Sequence, residues 1–210
     1  MALFTFKNVE FKDIIKYPDL NIEPRGTTFI CGESGSGKST LLKLLNGVLS
    51  PTVGEITYAG KNITEFDPIE LRREVLLIGQ SVYLFDKSIR DNFYAYYAYR
   101  GQDTISGAGM EHYLEICSVN LPLNSMCNVL SGGERQRVFL AINISFGAKV
   151  LMLDEPTGAL DDKNANTLMQ NIMSHCNENE MTLLVVSHDK SIAELYAERV
   201  IYLEGGTQHE

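Results

Sequence analysis

The chain has 210 residues, 44% of them hydrophobic, and carries 27 acidic against 18 basic side chains for a formal net charge of −9. That size can bury the core of one domain with an inserted subdomain, and the composition excludes a disordered or low-complexity chain; the acidic balance opposes broad attraction to nucleic acid or anionic lipid. No apolar run approaches the ~18 residues of a membrane span, and the N-terminal residues lack the basic start and long apolar stretch of a signal peptide, so the expected location is the cytoplasm.

In chain order, a strand-like segment at residues 3–9 is followed by a short stretch carrying Phe11 and Tyr17, and then by an apolar strand at 27–31. The loop Gly32-Glu33-Ser34-Gly35-Ser36-Gly37-Lys38-Ser39-Thr40 comes next, and a helix is expected over 39–49 with Leu41, Leu42, Leu44, Leu45 and Val48 on its inner side. Strands are expected at 54–58 and 75–78, the second ending just before Gln80. From residue 81 to about 127 the chain is rich in tyrosine, including the cluster from Phe93 to Tyr99, and shows no strand pattern, which reads as a mainly helical insertion. A helix at 132–145, a strand at 150–153, a helix at 163–174, a strand at 182–187, a helix at 190–197 and a strand at 200–203 complete the pattern. Near-continuous apolar strands alternating with helices predict an α/β fold with a mainly parallel sheet, preceded by an antiparallel N-terminal part. The expected organisation is one domain with its core at 1–80 and 149–210 and a helical subdomain at 81–148. Cys31, Cys117, Cys127 and Cys176 are scattered singly and read as reduced, structural residues.

Three segments carry chemistry. The loop from Gly32 to Thr40 fits G-x-x-x-x-G-K-[ST], the phosphate-cradling pattern of nucleoside triphosphate sites. Its glycines let backbone N–H groups approach an anion, Lys38 adds charge, and the following helix aims its N-terminus at the phosphates. Ser39 is placed to ligate the Mg²⁺ that bridges the outer phosphates. The strand at 150–153 ends in Asp154-Glu155, whose side chains alternate: Asp154 can hold the Mg²⁺ shell, while Glu155 faces the attacking water as general base or orienting group. In Ser131-Gly132-Gly133-Glu134 the serine and glutamate fit a capping box, and the paired glycines expose N–H groups at a positive helix end where a phosphate can sit. One loop does not easily enclose a triphosphate, so a second phosphate-binding helix end raises the possibility of a site closed by another subunit.

Leu130 to Glu134 resembles the LSGGE signature of the ATP-binding-cassette ATPases, and it lies between a phosphate loop and an apolar strand ending in Asp-Glu, in the family order. Gln80 is similar to the Q-loop glutamine, Gly158-Ala159-Leu160-Asp161 to the D-loop, and His188 to the switch histidine; the resemblance spans nearly the whole chain. It implies a P-loop fold with a signature-bearing helical subdomain, and a head-to-tail dimer of two copies sandwiching two ATP molecules. In that arrangement Lys38 neutralises the β and γ phosphates, while Ser39, Gln80 and Asp154 organise Mg²⁺. Glu155 polarises water and His188 holds the γ-phosphate in line. Ser131, Gly132 and Gly133 contact the γ-phosphate in trans, with Glu134 and Asp161 in the same nucleotide interface.

The family stacks adenine on an aromatic residue after the first strand, for which Phe11 is the candidate and Tyr17 the alternative. Asn143 stands where many relatives carry arginine. The resemblance also implies a separate integral membrane permease as partner, placing the chain at the inner face of the cell membrane, with no nucleic acid expected. The border with that permease would include Gln80, Tyr83, Leu84 and Phe85. Segments such as Leu71-Arg72-Arg73-Glu74 and Tyr83-Leu84-Phe85-Asp86 resemble the small iron-export-type ATPase subunits of bacteria, which implies an exporter, of metal ion type. The alternative is a soluble mechanochemical ATPase of the same fold acting on nucleic acid or ribosomes. No regulatory domain is expected after residue 206.

Overall fold

The computed structural model describes residues 1–158, 160–188 and 190–204, with only the backbone of Lys190 and Ser191. The chain divides into two compact units: Met1–Ile78 with Ala148–Pro156 and Cys176–Glu210, and Gly79–Gly147 with Thr157–His175.

The first unit begins with an antiparallel sheet. Strand β1 (Phe4–Phe11) pairs with β2 (Ile15–Lys16) and β3 (Leu20–Ile22) on one side. Phe4 and Phe6 point into the core, but the alternation then slips. Asn8 takes a positive φ of 51° and the register shifts between Lys7 and Glu10, a bulge that turns Val9 inward. Strand β4 (Gly26–Gly32) leads into helix α1 (Lys38–Leu45). The helix stops earlier than the pattern predicts. After Asn46, Gly47 adopts φ 67°, and the amides of Val48 and Leu49 both return to the Lys43 carbonyl. Val48 is therefore half exposed, whereas Leu41, Leu42, Leu44 and Leu45 are fully buried. Strand β5 (Val53–Tyr58) pairs with β1 and with β6 (Lys61–Asn62). Helix α2 (Pro68–Glu74) starts where Asp67 accepts from the amides of Ile69 and Glu70 and proline takes the first turn. Strand β7 (Val75–Ile78) follows.

The second unit is helical. Helices α3 (Ile89–Tyr99), α4 (Gly107–Ile116) and α5 (Gly132–Ile144) are capped by the hydroxyls of Ser88, Ser106 and Ser131, and α3 and α4 both pack on α5. The aromatic cluster splits by helical period: Phe93 and Tyr97 are buried, with the Tyr97 hydroxyl donating to the Ser145 carbonyl at 2.9 Å, while Tyr94 and Tyr99 are exposed.

Strand β8 (Val150–Asp154), helix α6 (Asp162–Glu178), strand β9 (Thr182–Val186), helix α7 (Lys190–Tyr196) and strand β10 (Arg199–Leu203) complete the chain. The second unit takes in residues 157–175, where Tyr113 meets His175 edge-on and Asn171 donates to the Ser118 hydroxyl. The second sheet is parallel throughout, in the order β10-β4-β9-β8-β7. Every residue of β8 and β9 is buried, which explains their unbroken apolar sequences. All four cysteines are buried, and none is in a disulfide.

Candidate functional site

The parallel register decides what meets at the sheet edge. Gly32 of β4 lies opposite Leu203 of β10, Ile30 opposite Val186 of β9, and Val186 opposite Asp154 of β8. The phosphate loop, the Asp154-Glu155 pair and the turn carrying His188 therefore all leave the carboxyl ends of neighbouring strands, the side on which open parallel sheets bind ligands.

Two loop glycines are required by geometry. Gly32 has φ 153°, and a Cβ there would lie 2.4 Å from the Leu203 carbonyl oxygen and 2.7 Å from Ser36 Oγ. Gly37, at φ 92°, caps α1 in the left-handed region, where a Cβ would meet the Tyr17 hydroxyl at 2.9 Å and Ile15 at 3.0 Å. Lys38 is 5% exposed, and its ammonium donates to the carbonyls of Gly32 at 2.9 Å and Glu33 at 2.7 Å. Two of its three donors are thus held by the loop, which leaves one for an anion over the helix end. Ser36 Oγ is buried and has no hydrogen-bond partner among the described residues. Ser39 is half-buried in the first turn of α1.

Asp154 is buried, and its Oδ1 likewise has no partner among the described residues. A buried carboxylate oxygen without a donor is costly unless a cation reaches it. Glu155 is held by its amide, which donates to the Val186 carbonyl at 2.9 Å, and by an unusual φ of 55°. This left-handed turn sends the Glu155 side chain to the His188 turn, where Oε1 lies 2.5 Å from Nε2. A hydrogen-bonded carboxylate and imidazole beside a phosphate loop can orient a water and move its proton.

Apart from Phe11 and Tyr17, the remaining sequence candidates lie in the second unit. Ser131 and Glu134 form the expected capping box: the Ser131 amide and hydroxyl donate to Glu134 Oε2 at 2.9 and 2.6 Å, and the Glu134 amide donates back to the hydroxyl. The Ser131 hydroxyl and amide hold the Glu134 carboxyl below the usual carboxylate range. Gly132 is exposed, with open space where a Cβ would stand, and Gly133 is half-buried. Gln80 is exposed two residues beyond β7. Asp161 accepts from the amide and side chain of Asn164 at the start of α6, contacts that hold its carboxyl low, so in this structure it acts as a helix cap. Ala159, in the D-loop-like segment, lies outside the described residues. Asn143 is buried and donates to the Phe139 carbonyl at 2.8 Å.

Of the two aromatic candidates for adenine, Phe11 is partly buried on the core with Lys12 Nζ 5.3 Å from its ring centre. Tyr17 is 5% exposed and packs edge-on against Phe6, so it has no face open to a base. Its hydroxyl instead donates to the Gly37 carbonyl at 2.9 Å, a contact with the phosphate loop that nothing in the spacing announces.

Comparison with known proteins fits this arrangement. The family described as ABC transporter matches residues 15–158. The chain belongs to that family. It is 32% identical over 188 residues to the probable iron export ATP-binding protein FetA of Escherichia coli K12, covering 89% of this chain and 83% of the relative. It is 35% identical over 191 residues to the mycobactin import ATP-binding/permease protein IrtB of Mycolicibacterium smegmatis, covering 88% of this chain but only 33% of that longer protein. Among solved structures, the dimeric post-hydrolysis state of the ATP-binding cassette MJ0796, bound to ADP and Pi, superposes with a TM-score of 0.82 at 28% identity, over 98% of this chain and 97% of the other. The cassette binds ATP and hydrolyses it. Among the described residues, no helix is long and apolar enough to cross a membrane.

Proposed function

We propose that this cassette is the ATP-hydrolysing subunit of an exporter, powering a separate transmembrane subunit through ATP-driven closure of a head-to-tail dimer and its opening on hydrolysis. The observation that carries the hydrolytic half is the Glu155–His188 pair beside Lys38 and the buried Asp154 on one sheet edge. The FetA likeness, over most of both chains, supports export and a metal ion as cargo.

Lys38 neutralises the β and γ phosphates, and the amides of Gly35 to Ser39 cradle them. Glu155 accepts a proton from the attacking water or orients it, and His188 holds Glu155 and the γ-phosphate in line. Ser39 and Asp154 Oδ1, which has no partner among the described residues, fit a hard divalent cation, and the resemblance of Gln80 to the Q-loop glutamine adds it as a further ligand. Bound Mg²⁺ would neutralise the charge that develops on the phosphate oxygens. Ser131, Gly132 and Gly133 act on the nucleotide held by a second copy, where their N–H groups and hydroxyl stabilise the transferring group. Phe11 stacks on adenine.

The test is to purify the tagged cassette from membranes of its own host. Copurification with one integral membrane protein, and an ATPase rate raised by that protein in vesicles, is the expected outcome. ATPase activity stimulated by nucleic acid or ribosomes, with no membrane partner, would overturn it.

A further inference from the structure

The Gly37 carbonyl accepts two hydrogen bonds. One comes from the Leu41 amide at 2.8 Å, closing the first turn of α1, and the other from the Tyr17 hydroxyl at 2.9 Å. Both lone pairs of that oxygen are thereby used. Burial raises the Tyr17 phenol well above its ordinary value, which keeps it a neutral donor at any working pH. Ile15 packs against Gly37 from the same side, and the Tyr17 amide is pinned to the Val9 carbonyl at 2.9 Å. Strand β2 and the residue after it are thus docked on the helix cap through groups of the first unit alone.

A trans peptide points its C=O and N–H in opposite directions, and no peptide among the described residues is cis. Holding the Gly37 oxygen inward therefore holds the Lys38 amide outward, with the other N–H groups at the start of α1. Two donors on one carbonyl also polarise its peptide and strengthen that N–H as a donor.

We propose that Tyr17 is a positioning residue for ATP, locking the Gly37–Lys38 peptide so that the Lys38 amide faces the phosphates. It acts through its hydroxyl and not through its ring, and it acts on the triphosphate and not on the base. A phosphate contact made equally in the bound and transition states alters KM and leaves kcat. The inference uses ATP binding by the family and does not depend on the transport reading.

The experiment compares the wild-type chain with Tyr17→Phe, which keeps the ring and removes the hydroxyl. Steady-state ATPase kinetics and inhibition by inorganic tripolyphosphate are measured for each, with thermal melting alongside. Tyr17→Phe is expected to raise KM for ATP about three- to tenfold, the scale of one net hydrogen bond, with kcat within about twofold. The inhibition constant for tripolyphosphate should rise by the same factor. An unchanged KM in Tyr17→Phe, a fall in kcat at constant KM, or a loss for ATP without one for tripolyphosphate would overturn the proposal.

Discussion

Helices α1 and α5 both begin at glycine-containing turns that the sequence marks as phosphate-binding ends, yet the fold completes them differently. At α1 the cap is Gly37 in the left-handed region, locked from below by Tyr17 and Ile15, with Lys38 buried on the loop carbonyls and Ser36 Oγ left without a partner among the described residues. At α5 the cap is exposed and closed on itself, with the Ser131 hydroxyl both donating to and accepting from Glu134. The first end is preorganised around groups that a ligand would complete. The second is a satisfied helix start; in the proposed head-to-tail dimer it would exchange its internal bonds for bonds to the nucleotide of a second copy.

This contrast can be broken by substitution. The largest effect is expected from Ser131→Arg, which should lower ATP hydrolysis by about 10²- to 10³-fold, the scale of lost transition-state donors, while ATP binding to the monomer stays within about threefold. Fluorescent-nucleotide titration beside a phosphate-release assay checks it, and equal loss of both would place α5 in the cis site. Glu155→Gln should reduce turnover by ~100-fold or more with ATP affinity retained.

Smaller and more telling is a pair of alanine substitutions. Gly37→Ala forces a Cβ into φ 92° and against Tyr17, and should destabilise by about 2 kcal/mol, seen as a lower denaturation midpoint. Gly132→Ala enters open space in a helix and should leave stability unchanged or raised by up to about 1 kcal/mol. The smallest effect concerns pH. The Glu134 carboxyl is held below its ordinary value of 4.5 by Ser131, so its contribution to stability is complete above 4.5 and lost as pH falls through the lowered value. The melting difference between wild type and Glu134→Gln should therefore shrink in acid.

Much of the fold and site is legible in the amino-acid sequence alone. The strand at 150–153 and the apolar runs at 27–31 and 182–187 stand out because strands buried on both faces need unbroken apolar sequence, as β8 and β9 show. Lys38, Asp154 and Glu155 stand out because phosphate chemistry fixes their spacing. Strands β2 and β6 span two residues each and exist only through pairing with β1 and β5, so no local pattern marks them. Helix α2 is too short for an apolar period to show, and its one local mark is the cap and first-turn pair Asp67-Pro68. Continuing the helical period of α1 through Gly47 places Val48 inward, but the chain turns at that glycine and leaves Val48 half exposed. The Tyr17–Gly37 contact joins residues twenty apart across two elements, a distance at which spacing carries no information.

In the proposed head-to-tail dimer one copy holds only half of each nucleotide site. Glu155→Gln run on size-exclusion chromatography with and without Mg-ATP tests this most directly: elution as a dimer with Mg-ATP and as a monomer without it is the predicted result, and a monomer at saturating Mg-ATP would contradict it.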